Sequence, residues 1–121
     1  MKIKGLAKVI TVLALVASVS MPVFAGAVTG ARADQFRLSA GATHTFNMTF
    51  YGGELATVVV EGDGDTDLDV YVYDAVGNLI TKDDDYSDYC VVKWRPYWTG
   101  VFRIKVVNRG NVYNDYSIET N

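Results

Sequence analysis

Beyond residue 27 the chain alternates apolar and polar side chains at a period of two, and a helical period of 3.6 is hard to find. Phe36 and Leu38 open the series, and Ala40-Gly41 ends that run. Phe46, Met48 and Phe50 follow, closed by Gly52-Gly53. Leu55 to Val60 is apolar or β-branched on both faces, the signature of a central strand. In the next run Leu68, Val70 and Val72 share one face, while Asp69, Tyr71 and Tyr73 share the other. Asp74-Ala-Val-Gly77-Asn78 reads as a hairpin turn in which Gly77 supplies a positive φ. Leu79-Ile80 begins a short return strand, and Tyr89 to Arg95 makes another. Pro96 to Gly100 turns the chain into Phe102, Ile104 and Val106, and Asn108 to Asn111 turns it into a last strand with Tyr116 and Ile118 on one face.

Seven or eight short strands with turn residues between them predict an all-β, single jelly-roll-like antiparallel β-sandwich. Cys90, Val92 and Trp94 stand at alternate positions and fall together on the core face of their strand. With one cysteine no internal disulfide can form, so the domain depends on its core.

The first residues have a different design. Lys2, Lys4 and Lys8 precede an apolar stretch from Val9 to Val19, and Pro22 breaks it before the small residues of Val23-Phe24-Ala25. That is a secretory signal peptide over residues 1–25, with cleavage after Ala27 as the second choice. The stretch is short and Pro-interrupted against the ~20 apolar residues a membrane span needs. A secreted or periplasmic, bacterial product is expected, with no membrane span after cleavage. Taking 25 residues from 121 leaves 96, enough for one domain over residues 34–120. The leader holds three of the 11 basic residues, so the formal net charge moves from −3 to −6. Ten of the 14 acidic residues lie between Glu61 and Asp88, which argues against nucleic acid as a partner and for a cation-binding acidic end.

That acidic stretch offers the sharpest chemistry. Asp63, Asp65, Asp67 and Asp69 stand at alternate positions, so extended chain would crowd them on one side roughly 6–7 Å apart. Asp83, Asp84, Asp85 and Asp88 occupy the loop that follows the hairpin. Oxygen clusters of this kind suit Ca²⁺, which takes about 6–8 oxygen ligands. Asp65, Asp67, Asp69, Asp83, Asp84, Asp85 and Asp88 are the candidate ligands. An EF-hand is excluded by spacing: aligned from Asp63, its turn glycine falls on Leu68 and its terminal glutamate on Asp74. The bland reading of the same residues is a solvated acidic loop with Asp-rich turns.

Asp67-Leu-Asp-Val-Tyr-Val-Tyr-Asp74, Gly77-Asn78, Thr99-Gly-Val-Phe-Arg-Ile-Lys-Val106 and Tyr116-Ser-Ile118 together resemble the bacterial pre-peptidase C-terminal domain family. Leu38-Ser-Ala-Gly41 with the Phe46 strand looks like the family's opening. The resemblance covers most of residues 34–120 and implies a noncatalytic jelly-roll sandwich of the kind appended to secreted hydrolases. Through the related collagen-binding domains of clostridial collagenases it also implies Ca²⁺. This chain departs from the usual setting, because no protease accompanies the domain.

Tyr71, Tyr73, Tyr97 and Trp98 form a second candidate site, since exposed aromatic faces suit polysaccharide or protein ligands. Half-buried tyrosines covering the outer face of a sheet are the simpler account of the first two. Catalysis has little footing: His44 is the single histidine, and no G-x-S-x-G or comparable nucleophile motif accompanies it. Three roles remain open: a Ca-stabilised structural or binding module, an adhesion module for polysaccharide or protein, and an inhibitor or chaperone of a separately encoded secreted hydrolase.

Overall fold

A computed structural model describes residues 26–121; the expected signal segment at 1–25 lies outside them. Eight strands follow one another: β1 (Arg32–Leu38), β2 (Thr43–Phe50), β3 (Ala56–Glu61), β4 (Leu68–Tyr73), β5 (Leu79–Asp83), β6 (Tyr89–Trp94), β7 (Gly100–Asn108) and β8 (Asn114–Thr120). They pair antiparallel in two four-stranded sheets, ordered β1-β8-β3-β6 and β2-β7-β4-β5. This interleaving of first with last and second with seventh is the double Greek key of a jelly roll. Among the described residues no helix is long and apolar enough to cross a membrane.

The alternation seen in the sequence decides which side of each strand is dry. Val58 and Val60 of β3, Val70 and Val72 of β4, Cys90 and Val92 of β6, and Ile104 and Val106 of β7 fill the space between the sheets. Phe50 plugs one end of that core, with its ring 4.8 Å from Trp94 and 6.1 Å from Phe102, both edge-on or tilted. A second aromatic group, Phe36, Phe46, Tyr116 and His44, closes the side where β1 and β2 leave the two sheets, with Phe36 and Phe46 5.2 Å apart.

The hairpin between β4 and β5 forms as its residues require. Gly77 adopts φ 93°, and the Asp74 carboxylate accepts the backbone N–H groups of Val76 and Asn78 and the Asn78 side-chain amide. Those bonds hold the Asp74 carboxyl below the usual carboxylate range.

The fold also reaches further toward the N-terminus than residue 34. β1 begins at Arg32, and Ala27 is buried and bridges Phe50. Gly26 accepts the N–H of Tyr51, and Ala27 donates to the carbonyl of Asn121.

Strand parity sorts the loops. The connections β1–β2, β3–β4, β5–β6 and β7–β8 gather at one end, and β2–β3, β4–β5 and β6–β7 gather at the other. The acidic segments therefore occupy the first end, and Tyr97 and Trp98 the second.

Candidate functional site

The acidic end is a knot of three loops tied by backbone as much as by charge. Gly62 donates to the carbonyl of Asp88, and Leu68 donates to that of Ser87, so β3–β4 and β5–β6 lie side by side. A Cβ at Gly62 would run into the side chains of Asp88 and Asn114 and force them out of these positions. Asn114, buried at the start of β8, accepts from the Asp63 N–H at 3.0 Å and donates to Thr66 Oγ1 at 3.1 Å and Asp88 Oδ2 at 3.2 Å. Asn108 does the same for the neighbouring loop, donating to the carbonyls of Leu38 and Val112 and accepting from Gly110.

The structure divides the candidate ligands. Asp63 does not sit with the others on a strand face, because β4 starts only at Leu68 and Gly64 at φ 92° breaks the extended run. Its two oxygens instead cap the N–H groups of Asp65 and Asp115. Asp65 is exposed in the same loop. Asp83 accepts from Val91 N–H, Asp84 pairs with Lys82 at 2.9 Å, Asp85 accepts from Ser87 N–H, and Asp88 accepts from Gly64 N–H. Among the described residues, no three His, Cys, Asp or Glu side chains stand grouped as metal ligands.

Asp67 and Asp69 behave differently. Asp69 is only 4% exposed, on the outer face of β4, and its Oδ2 accepts Arg109 Nε at 2.7 Å. Arg109 also donates to the Tyr71 hydroxyl at 2.9 Å. Its guanidinium is thereby held firmly protonated. The second oxygens, Asp67 Oδ1 and Asp69 Oδ1, are both buried without a hydrogen-bond partner. Desolvation first, then the charges of Asp69, Asp85 and Asp88, push the Asp67 carboxyl above its ordinary range, against the pull of Arg109. The surroundings of Asp67 thus keep an excess of negative charge even with one arginine beside them. Two unpartnered carboxylate oxygens with further acids around them are donors of the type a hard divalent cation takes.

Sequence reasoning missed Arg109, Asn108 and Asn114. Asn108 carried a turn signal, but Arg109 lies 40 positions from Asp69, and only pairing of β4 with β7 brings it there.

At the opposite end, Tyr97 and Trp98 are 94% and 75% exposed. Their loop is nevertheless fixed. Gly53 donates to the Pro96 carbonyl, Gly52 to Thr99 Oγ1, and Arg95 to the Gly53 carbonyl at 2.7 Å. A Cβ on Gly52 would collide with the Trp98 backbone, so the two loops are in direct contact. Tyr71 and Tyr73 are half-buried on the outer face of β4, roughly parallel with centroids 6.5 Å apart. The four aromatic candidates therefore form two separate sites.

His44 Nδ1 lies 2.7 Å from the Tyr116 hydroxyl, and its ring sits between Phe36 and Phe46. The Cys90 thiol is buried against the Leu68 carbonyl, and burial together with the neighbouring aspartates pushes it up to about 12.

Fold and surface together describe a jelly-roll β-sandwich that carries its distinctive side chains on end loops and one sheet face. No protein-family model and no curated protein sequence matches the chain. Solved structures do. The Yersinia pseudotuberculosis-derived mitogen aligns with a TM-score of 0.60 at 14% identity, over 76% of this chain and 85% of that one. The pre-peptidase C-terminal domain of a collagenase from Bacillus anthracis aligns with a TM-score of 0.59 at 10% identity, over 74% and 88%. A periplasmic inhibitor of g-type lysozyme from Aeromonas hydrophila aligns at 0.57 and 14%, over 75% and 84%. The chain thus shares the fold of a pre-peptidase C-terminal domain, the likeness its strand motifs led us to expect.

Proposed function

We propose that this chain is an exported, noncatalytic binding module that docks a protein or polysaccharide through Tyr97 and Trp98 and is braced by Ca²⁺ at its other end. The carrying observation is the pair of large aromatic side chains held out in water by a loop whose backbone is pinned. An aromatic residue on a fixed loop loses little entropy on binding and buries a large area, which is how binding hot spots are built. The same fold serves as a lysozyme inhibitor in the Aeromonas protein, which supports an exported hydrolase as one partner class. Binding of immobilised protein to exported hydrolases and to insoluble polysaccharides is the test. Trp98→Ala should weaken capture at least about 30-fold, the effect of a hot spot of about 2 kcal/mol. Capture that survives both Trp98→Ala and Tyr97→Ala removes this reading.

Calcium would be taken by the two unpartnered oxygens, Asp67 Oδ1 and Asp69 Oδ1, with loop carbonyls or water completing its shell, relieving the repulsion between the two carboxylates. The sign of the pH effect follows from Asp67. Its folded-state pKa is raised, so the ionised carboxylate opposes folding above that pKa, and stability grows as pH falls through it toward 3.8. Asp74, Asp84 and Asp115 are lowered, so what they contribute is present at neutral pH and is lost only below 3.8. In chelator, mild acidification from neutrality should therefore raise the melting temperature of the wild type. Asp67→Asn should show no such rise, melt higher than wild type in chelator, and gain nothing from added Ca²⁺. Calorimetric titration that finds no heat in chelator-stripped wild type disproves the calcium proposal.

A further inference from the structure

The outer face of the sheet β2-β7-β4-β5 carries more basic than acidic strand side chains, with Lys82, Arg103 and Lys105 against Asp69. Register places Lys105 between Thr45 and Tyr71, and Tyr71 between Lys105 and Lys82. The next row sets Arg103 between Asn47 and Tyr73. Lys105 Nζ lies 5.2 Å from the centre of the Tyr73 ring, whose neighbour Tyr71 is inclined to it by 24°. The one strand acid on this face, Asp69, is buried under Arg109. The other sheet shows the reverse balance on its outer face, with Glu61, Asp115 and Glu119 against Arg37 and Lys93. Lys82 and Arg109 are engaged with Asp84 and Asp69, while Arg103 and Lys105 join no ion pair among the described residues.

We propose that this face binds an acidic polysaccharide bearing carboxylates on its sugar rings. Tyr71 and Tyr73 supply apolar ring surface beside the sugars, with Lys105 lying over one Tyr73 face, and Arg103 and Lys105 supply counter-charges two residues apart on one strand. The guanidinium of Arg103 can take a carboxylate with two parallel donors. Charge complementarity selects the occupant. A neutral glycan makes no use of two unpaired cations, and a nucleic acid needs a far denser basic surface than a domain of net charge −6 offers. The proposal rests on the chain being an exported binding module but uses a face separate from the Tyr97–Trp98 loop.

Affinity electrophoresis in gels containing polygalacturonate tests it, with neutral dextran and single-stranded DNA as parallel matrices. The protein should be retarded by polygalacturonate alone, and salt should release it as charge screening grows. The double substitution Arg103→Gln and Lys105→Gln should weaken retardation about tenfold, each surface charge contributing a few-fold. Lys105→Glu reports the same loss from one half-exposed side chain, while Lys93→Gln on the opposite sheet should change nothing. Retardation unaltered in Trp98→Ala supports the sheet face. Retardation lost in Trp98→Ala but intact in the double variant overturns it in favour of the loop. Absence of retardation by polygalacturonate, or equal retardation by DNA, also overturns it.

Discussion

Phe50→Ala is expected to lose about 3–5 kcal/mol of folding stability, the range for truncating a fully buried phenylalanine. The ring is wholly excluded from solvent and fills the space between Trp94, Phe102 and the Ala27 bridge. Both sheets contribute to that pocket, so its walls cannot collapse inward without shifting a strand and breaking ladder bonds. Domains of this size hold about 5–15 kcal/mol in total, so the variant should keep only part of its cooperative transition. The melting temperature should fall by roughly 12–40 °C, taking about 4–8 °C per kcal/mol. Denaturant unfolding followed by tryptophan fluorescence gives the value, because Trp94 is buried against Phe50. Val76→Ala, at an exposed hairpin tip, should stay within about 0.5 kcal/mol and serves as the control. A loss under about 1 kcal/mol for Phe50→Ala would mean that the two sheets do not meet as described.

Removing Arg109 should have the second-largest effect, and it should depend on calcium. Arg109→Ala leaves Asp69 buried with no cation, beside Asp67 whose carboxyl is already disfavoured in its ionised form. Breaking one side of a buried pair costs about 3–5 kcal/mol. Arg109 itself is 50% exposed, so water offsets part of the loss and about 2–3 kcal/mol is expected in chelator. With the guanidinium gone, Asp69 Oδ2 keeps only the Tyr71 hydroxyl at 3.3 Å, beside the unpartnered Oδ1. Calcium should then bind more tightly than to wild type and recover most of the lost stability, following the linkage RT ln(1 + [L]/Kd). Thermal melts of wild type and variant, with and without calcium, decide the matter. Equal destabilisation in both media would show that the arginine acts only on the aspartate and that no divalent cation binds beside it.

Much of the architecture was legible because burial in a two-layer sandwich writes itself at period two. Leu68, Val70 and Val72 against Asp69, Tyr71 and Tyr73 state both the strand and its dry side, and Leu55 to Val60 marks an interior strand. Gly77 announces its turn for steric reasons that need no tertiary context. The candidate site was legible only in part. Asp67 and Asp69 stood out, but alternation suggested that Asp63 and Asp65 continued the same face. Gly62 and Gly64 interrupt the extended chain there, and Asp63 is used as a backbone cap. The site roles of Arg109, Asn108 and Asn114 could not be found by pattern, since each makes a bond across 40 or more positions that only strand pairing brings within reach. The separation of Tyr71 and Tyr73 from Tyr97 and Trp98 likewise follows from topology: the loop pair is at one end, while the strand pair lies along a sheet.

The Ala27 contact with Asn121 has a practical consequence. Residues 26 and 121 emerge from the same pole, within one hydrogen bond of each other, beside the Tyr51 loop. A short glycine linker could splice them, and new termini opened in the exposed Ala75–Gly77 tip would give a circular permutant with all eight strands intact. By the same geometry, a reporter or enzyme joined at residue 26 or at residue 121 would stand at the Tyr51–Gly52 end, next to Trp98, and shade it. The sheet face would stay open, so such fusions offer a way to silence one surface at a time without altering a residue.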